Sequence, residues 1–263
     1  MLDQFRLWLK PGGTYPALPA NGGTPFPRAP CPLFRALLRH KISPSRITLF
    51  PFLTNRGAYR MAIQIDAEGI RKIFPEVDQI QDKTLREGVV EIWLELADET
   101  AWERFEDIPK NLTLEKHEPL IGHIQGVTRM ALALAEVAEK IHGITVDGDL
   151  LIAACLLHDI SKPLESEPDP GGQPSGGSIL PARKTEFGSK IQHGVYGAHK
   201  IWEKDLPKAM ELAHLVITHT RASNTRAASY EASLIFYADW ADSDAGIITG
   251  GGRPFAARWI EEK

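Results

Sequence analysis

The stretch DGDLLIAACLLHDISKP, residues 147–163, decides the fold of this chain. It opens with a candidate N-cap, Asp147 or Asp149, and continues as an almost unbroken apolar run, which predicts a buried helix. The adjacent His158 and Asp159 interrupt that run close to its end. Because a buried imidazole or carboxylate is costly unless it is paired or binds a metal, this doublet is the first indication of a functional site.

Amphipathic helical patterns lie on both sides of this stretch. Residues 119–143 have apolar side chains at helical spacing and end at Gly143, a favourable helix stop. The apolar stripe of this segment comprises Val127, Met130, Leu134, Val137 and Ile141. Residues 190–205, 206–220 and 229–244 give three further helical patterns, and residues 164–188 are expected to be a loop. The C-terminal part is therefore predicted to be an all-α bundle of five or more helices.

Ionisable side chains lie on the apolar stripes of four of these helices. They are His123, His158, His219 and Asp239. A single histidine on an apolar face is usually a hydrogen-bonded core residue, but four helices that each direct one such group inward suggest one shared cation. Imidazole together with carboxylate suits Fe, Mn, Co, Ni or Zn.

The composition is that of an ordinary globular protein. The chain has 263 residues, 30 Lys and Arg, 34 Asp and Glu, a net charge of −4 and only two Cys. This excludes a disulfide scaffold and a cysteine-based zinc site. Charged residues interrupt the first ten positions, and no apolar run reaches the ~18 residues that a membrane helix needs. We therefore expect a cytoplasmic protein with no signal peptide and no membrane partner.

The N-terminal region has a different character. Residues 11–33 are rich in Pro and Gly, and residues 46–53 and 58–65 are two β-type runs around a turn, which predict a β-hairpin. Residues 84–98 fit helical and strand periods equally well, so their structure stays open here. We expect an α+β extension over residues 1–110, of unknown function, and the helical domain over residues 111–263.

A basic segment lies within this extension. Between Gln4 and Ile65 there is no Asp or Glu, whereas nine Lys and Arg are present. Such a patch attracts phosphates, nucleic acid or an acidic partner. A solvated surface is the more common explanation, and no recognisable nucleic-acid module accompanies the charge. Nucleic acid is therefore not the expected partner, although the segment leaves it open, and a homo-oligomer also stays open.

The ordered set of histidines and aspartates resembles the HD-domain superfamily of metal-dependent phosphohydrolases. LLHDISKP (156–163) resembles the superfamily's His-Asp signature with its following Lys, and HGVYGA (193–198), VITHT (216–220) and FYADWADS (236–243) resemble its later segments. The resemblance covers about residues 117–245 and implies an HD-type helical bundle. It implies a first metal ion held by His123, His158, Asp159 and Asp239. It implies a second ion held by His193 and His219, with Asp159 as a bridge.

Two of these assignments involve a choice between neighbours. His214 and His219 are five residues apart and point about 140° from each other on a helix, so only one should reach the site. His219 has the cleaner apolar stripe. Asp239 and Asp242 lie on neighbouring faces, and the Ala-Asp context favours Asp239, with Asp242 as a supporting or capping carboxylate.

The resemblance implies hydrolysis of a phosphomonoester or phosphodiester in a small, nucleotide-like or metabolite substrate. A metal pair would activate the attacking water and neutralise phosphate charge, with Asp159 central to it. Lys162 is expected to hold a phosphate oxygen as a point charge. Further candidates for binding phosphate groups are Arg183, Lys184, Arg221 and Arg226. The loop at residues 164–188 carries the first two and would close over the site as a lid.

Two other functions fit the same residues. The diiron oxygenase branch of the superfamily, which includes myo-inositol oxygenase, has a similar set of six ligands and activates dioxygen instead of water. A nucleotide-sensing or scaffolding module with a structural metal is the other alternative. Hydrolysis is preferred because it is the common activity of the superfamily, and the number and identity of bound metal ions would discriminate among the three.

Overall fold

The computed structural model of the chain describes residues 63–112, 119–173, 180–220 and 225–257. Within these ranges the protein is mainly helical, as predicted, and has one small antiparallel sheet. The helices are α1 (Ala67–Ile73), α2 (Lys83–Glu99), α3 (Leu120–His142), α4 (Gly148–Leu157), α5 (Lys162–Glu165), α6 (Glu186–Lys190), α7 (Val195–Glu203), α8 (Ala209–Thr218) and α9 (Tyr230–Thr249). The strands are β1 (Ser166–Pro168) and β2 (Ala182–Lys184), and short 3₁₀ helices span Pro75–Gln79 and Phe105–Asp107.

Helix α4 is the central element of the bundle. Every residue from Leu150 to Leu157 is buried, and α2, α3, α8 and α9 pack around it. Asp147 is its N-cap and accepts a hydrogen bond from the Leu150 amide. Asp149, the alternative cap, instead accepts hydrogen bonds from two backbone amides just before α2. The all-round apolar character of this stretch therefore reflects a helix enclosed on every side.

The end of α4 positions the first residues of the site. The helix ends at Leu157, earlier than the sequence suggests, and a tight turn over residues 158–161 leads directly into α5. Pro163 is accommodated because it lies in the first turn of α5, where its missing amide hydrogen has no helical partner to lose. His158 and Asp159 therefore lie directly after the end of the central helix, in the middle of the bundle.

Residues 84–98, which the sequence left undecided, belong to α2. The segment forms a helix and not a strand, and the predicted helical face lies in the core: Leu85, Val89, Trp93 and Leu96 are all buried. The indole nitrogen of Trp93 also donates a hydrogen bond to the Leu156 carbonyl oxygen at 3.1 Å, which joins α2 to the end of α4. Helix α2 therefore supports the turn that carries the His-Asp doublet.

The buried face of α3 differs from the predicted stripe. Val127 is buried, but Leu134, Val137 and Ile141 are 40%, 57% and 71% exposed. Small residues take their place in the second half of the helix, where Ala131, Ala135 and Ala138 are buried. Because alanine permits close approach, α3 packs tightly along α9, its most extensive neighbour. Helical spacing identified the helix, but the larger side chains did not identify its packed face.

The expected loop at residues 164–188 contains a small sheet. Strands β1 and β2 pair antiparallel, with Ser166 opposite Lys184 and Pro168 opposite Ala182. The prediction that residues 164–188 are only a loop was therefore wrong at this point, although the mainly helical fold is confirmed. Strands of three residues are too short to show a recognisable alternation of apolar and polar side chains.

One hydrophobic core joins the described residues. It extends from Ile63 to Ala238 and includes side chains of α1 and α2 as well as of the later helices. The predicted division of the chain after residue 110 stays a prediction, and the predicted hairpin lies almost entirely outside the described residues. Among the helices of the described ranges, none combines the length and the apolar character that crossing a membrane requires.

Candidate metal centre

The structure brings the six sequence-predicted ligands together at the middle of the bundle. They come from five places in the chain, because helix ends and one helix interior converge there. His123 lies in the first turn of α3, His158 and Asp159 follow α4, and Asp239 lies within α9. His193 precedes α7 by two residues, and His219 follows α8 directly. The prediction that His193 lies on a helix was therefore wrong, although its side chain reaches the cluster.

The first group of ligand atoms surrounds the Nε2 atom of His123. This atom lies 3.2 Å from His158 Nε2, 3.1 Å from Asp239 Oδ1 and 3.5 Å from Asp159 Oδ2. His123 and His158 are fully buried, and Asp159 is almost so. Two imidazole nitrogens and two carboxylate oxygens thus face one another in a space that water reaches poorly.

The second group shares Asp159 with the first. His193 Nε2 lies 2.5 Å from Asp159 Oδ1, and 3.2 Å from His219 Nε2. The same carboxylate oxygen lies 3.6 Å from His219 Nε2. Asp159 therefore directs one oxygen toward each group, which is the arrangement that a bridging carboxylate requires.

The opposite nitrogen of each histidine is fixed by a separate partner. The Nδ1 atoms of His158 and His219 donate to the carbonyl oxygens of Cys155 and Val216, each at 2.6 Å. The two other Nδ1 atoms bind carboxylates: His123 pairs with Asp242 at 2.6 Å and His193 pairs with Glu165 at 2.7 Å. Partners of this kind hold metal-ligating imidazoles in one orientation, so that all four Nε2 atoms point inward.

The donor set fits a divalent metal ion. Metal–nitrogen bonds of about 2.0–2.1 Å place neighbouring ligand atoms roughly 2.8–3.4 Å apart in octahedral or tetrahedral geometry. The ligand atoms of His123, His158 and Asp159 lie within 4.8 Å of one another, and so do those of Asp159, His193 and His219. Imidazole and carboxylate donors without thiolate are typical of Fe, Mn, Co, Ni and Zn sites.

The electrostatics of the first group favour a cation between these side chains. Burial lowers the pKa of His158 to about 3, so this imidazole is neutral at neutral pH with its Nε2 lone pair free to bind. Burial alone would also lower the pKa of His123, but hydrogen bonds with Asp239 and Asp242 raise it to about 9. Burial alone would raise the pKa of Asp239, whereas its bond to His123 lowers that value to about 2.

Lys162 lies beside the shared carboxylate. Burial would raise the pKa of Asp159, but electrostatic interactions with nearby His158 and Lys162 hold it well below its ordinary range. Conversely, burial would lower the pKa of Lys162, but Asp159 and Glu165 raise it. The ammonium group lies 3.7 Å from Glu165 Oε2, and its side chain is partly exposed. A protonated lysine is therefore held at the edge of the cluster.

The other predicted phosphate-binding residues lie on the surface or outside the described residues. Arg183 on β2 pairs with Glu167 on β1 at 2.8 Å and is 64% exposed. Lys184 and Arg226 are also exposed, and Arg221 lies outside the described residues. Their roles stay predictions, and binding by Arg183 would require its ion pair with Glu167 to open.

The structure places the two members of each competing pair differently. His219 lies in the cluster, whereas the Nε2 atom of His214 accepts a hydrogen bond from the Ala228 amide at 3.0 Å. Asp239 faces the first group, and Asp242 supports His123 from behind. A Cβ atom at Gly126 would lie only 1.9 Å from Asp242 Oδ1, so the glycine provides the space for that carboxylate.

Sequence reasoning missed two supporting residues, Ser161 and Glu165. Ser161 Oγ donates to Glu165 Oε1 at 2.6 Å and lies 3.2 Å from His193 Nδ1. The available signal was spacing: Glu165 follows Ser161 by four residues and Lys162 by three, so one helical turn brings these side chains together.

Comparison with known proteins agrees with this geometry. Residues 120–244 match the family model of the HD domain. The chain is also similar to dihydroneopterin 2',3'-cyclic phosphate phosphodiesterase of Methanocaldococcus jannaschii, with 33% identity over 125 residues. That match covers 47% of this chain and 46% of the relative, so the chain spans about half the length of the curated relative it matches. No solved structure matches the chain.

Proposed function

We propose that this chain is a metal-dependent phosphohydrolase that cleaves a phosphomonoester or phosphodiester in a small substrate. The observation that carries the proposal is the position of Asp159, whose two oxygens face two separate groups of imidazole nitrogens. The HD domain and the similarity to a phosphodiesterase support the same class of reaction. We further propose that the enzyme acts in the reducing cytoplasm, as its low cysteine content suggests.

The proposed ligands divide into two sets around Asp159. His123, His158 and Asp239 would hold the first ion, and His193 and His219 the second. When bound, such ions lower the pKa of a coordinated water and neutralise charge on a phosphate group. The surrounding helices exclude bulk water from the buried imidazoles, and the fixed Nδ1 partners keep each ligand oriented for binding.

Lys162 would bind the substrate. Its ammonium group remains protonated beside Asp159 and Glu165, and the side chain is 22% exposed, so it is accessible from the solvent side of the cluster. A lysine is a compact point charge that can bind a non-bridging phosphate oxygen without a fixed geometry. In this position it would hold the phosphate against the metal ions while the ester bond breaks.

A phosphodiester is the substrate class that the comparison favours. The name of the related archaeal protein describes a cyclic phosphodiester, whereas its pterin portion tells nothing about this chain. A cyclic or linear diester presents one ionised non-bridging oxygen fewer than a monoester, so less positive charge is needed to bind it.

Phosphate-ester hydrolysis by the metal-loaded protein tests the proposal. The substrates are p-nitrophenyl phosphate, bis-p-nitrophenyl phosphate and a nucleoside 2',3'-cyclic phosphate, each with Mn²⁺ or Fe²⁺. We expect turnover by the wild type and a loss of about 100-fold or more in Asp159→Ala, since several kcal/mol of charge stabilisation is removed. Asp98→Ala, which removes an exposed carboxylate on α2, is the matched control.

Two results would overturn the proposal. One is an intact, metal-loaded protein that hydrolyses none of these esters. The other is oxygen consumption by the iron-loaded protein with an alcohol or phosphonate and without ester hydrolysis, which would establish the oxygenase alternative.

A further inference from the structure

Glu165 is a largely buried carboxylate whose function no sequence pattern assigned. It is the last residue of α5, and its side chain is 18% exposed. Burial would raise its pKa, but the hydrogen bond with His193 and the charge of Lys162 lower it to about 2, so the group is ionised at neutral pH. An ionised carboxylate in such a position requires partners that compensate for the lost hydration.

Those partners are the second metal group and the substrate lysine. Glu165 Oε1 accepts hydrogen bonds from His193 Nδ1 at 2.7 Å and from Ser161 Oγ at 2.6 Å. Its other oxygen, Oε2, lies 3.7 Å from Lys162 Nζ. One carboxylate thus contacts a ligand of the proposed second ion and the cation proposed to bind phosphate.

The orientation of the His193 ring depends more on its side-chain partner Glu165 than the orientation of the other three histidines depends on their Nδ1 partners. His158 and His219 donate to carbonyl oxygens three residues earlier on their own helices, and His123 lies within α3. His193 lies in the segment between α6 and α7, outside any helix. Its ring orientation is therefore set by side-chain contacts and not by a helical backbone, with Glu165 and Ser161 at Nδ1 and Asp159 at Nε2.

The backbone of Glu165 is itself held firmly. Its amide donates to the Ser161 carbonyl, and its carbonyl accepts from the Thr185 amide at 3.0 Å, next to strand β2. A Cβ atom at Gly188 would lie 2.4 Å from the Glu165 carbonyl oxygen, so α6 approaches this backbone closely. The small sheet and α6 therefore fix the position from which the carboxylate reaches His193.

We infer that Glu165 is a positioning residue that orients His193 for the second metal ion and holds Lys162 beside the substrate phosphate. The inference rests on the proposed function and extends it, because it makes occupancy of the second position depend on a residue that binds no metal. Removing such a supporting carboxylate typically weakens metal binding or activity by about 10- to 100-fold.

The test compares Glu165→Gln with the wild type and with Glu186→Gln, which changes an exposed glutamate on α6. Each protein is freed of metal and titrated with Mn²⁺ by calorimetry, and bound ions are counted by elemental analysis. We expect Glu165→Gln to bind its first ion with wild-type affinity and its second ion about 10- to 100-fold more weakly. Glu186→Gln should behave as the wild type does.

A kinetic measurement separates positioning from a general loss of stability. At saturating Mn²⁺ the second ion is restored in Glu165→Gln, and the released Lys162 should then raise KM for a phosphodiester more than it lowers kcat. Glu165→Ala should show the same pattern more strongly, and circular dichroism would verify the folding of each variant.

The outcomes separate the two proposals. A wild type that hydrolyses esters, beside a Glu165→Gln variant with unchanged affinity for both ions, overturns the role of Glu165 alone. A wild type that binds two ions without hydrolysis overturns the proposed function, while the Mn²⁺ titrations still decide the role of Glu165. A wild type that binds a single ion contradicts this inference directly.

Discussion

At the scale of single residues, the proposed ligands differ in how many metal ions they would hold. The number of ions that each ligand variant retains can therefore be predicted and measured. Asp159 directs an oxygen toward each group, whereas Asp239 Oδ1 lies against His123 Nε2 and His219 Nε2 lies against His193 Nε2. We therefore expect Asp159→Ala to retain neither ion, Asp239→Ala to weaken the first ion and His219→Ala to weaken the second. Elemental analysis after dialysis against a weak chelator measures this. An equal loss of bound metal in all three variants would contradict the existence of two distinct metal positions.

Gly126 offers a second test that leaves every ligand in place. Because a Cβ atom there would overlap Asp242 Oδ1, Gly126→Ala should displace Asp242 from His123. We expect about 10- to 100-fold weaker binding of one Mn²⁺ ion, measured by calorimetry.

The matched control for this substitution lies one turn earlier on the same helix. Gly122→Ala places its Cβ where no atom lies within 4 Å. It should leave metal affinity unchanged and stabilise α3 by about 0.5–1 kcal/mol, since alanine favours the helix. If both variants bind Mn²⁺ equally well, Asp242 does not need its present position.

Sequence reasoning found the residues that interrupt apolar stripes, and among the side chains that support them it found Asp242 but missed Ser161 and Glu165. His123 and Asp239 were visible because a polar group on a buried helical face is unusual. Asp242 as the partner of His123 was not determined, because the pair is separated by 119 positions and depends on how α3 packs against α9. Glu165 was missed because its partner His193 lies in an irregular segment that has no periodicity to interpret.

At the scale of elements, ion pairs join α2 to α7. Lys200 on α7 is buried and donates to Glu95 at 3.0 Å and to Glu99 at 2.8 Å on α2. Lys204 also pairs with Glu95. These contacts connect the helix that supports α4 with the helix that follows His193, so their strength bears on the geometry of the site.

The ion pairs between α2 and α7 predict that the stability of the protein depends on pH. Burial would raise the pKa of Glu95, but hydrogen bonds from Lys204 and Lys200 hold it below its ordinary value of 4.5. A lowered folded-state pKa contributes stability that is present above the unfolded value and is lost as the pH falls through the folded value. Glu95→Gln should therefore be less stable than the wild type at about pH 7, with a difference that shrinks below about pH 4.

Urea unfolding of both proteins at several pH values measures the difference. A gap in unfolding free energy that stays constant from neutral to acid pH would show that Glu95 contributes by packing and not by charge. Sequence patterns could not predict these ion pairs, because residues 84–98 fit both the helical and the strand period. Only tertiary packing selected the helix.

At the scale of the whole molecule, metal binding should stabilise the fold. The ligands come from α3, α9 and the segments that follow α4, precede α7 and follow α8, so a bound ion connects elements that are distant in sequence. An ion present at 100 times its Kd stabilises the folded state by about 2.7 kcal/mol. For a chain of this size that corresponds to roughly 5–10 °C in Tm.

Thermal unfolding with and without a chelator tests this expectation. Chelation should lower the Tm of the wild type by several degrees and leave the Tm of Asp159→Ala unchanged. An equal effect on both proteins would mean that the chelator removes ions from elsewhere in the molecule.

The global organisation was predicted in part. The helical bundle followed from helical spacing and from the caps at Asp147 and Gly143. The short sheet of β1 and β2 did not, because three-residue strands are stabilised by pairing and by their contacts with α5, not by their own sequence. The all-apolar α4 was predicted as a buried helix, but only the packed structure shows that it is enclosed by four others.

The two kinds of support for the histidines imply unequal freedom to mutate. His158 and His219 are held by the backbone carbonyls of Cys155 and Val216, so side chains at these two positions can drift among apolar residues of similar size without disturbing a ligand. Asp242 and Glu165 support through their side chains and cannot be exchanged in this way. Saturation mutagenesis would therefore identify Asp242 and Glu165 as sensitive positions but would not identify Cys155 and Val216, although all four residues hold an imidazole.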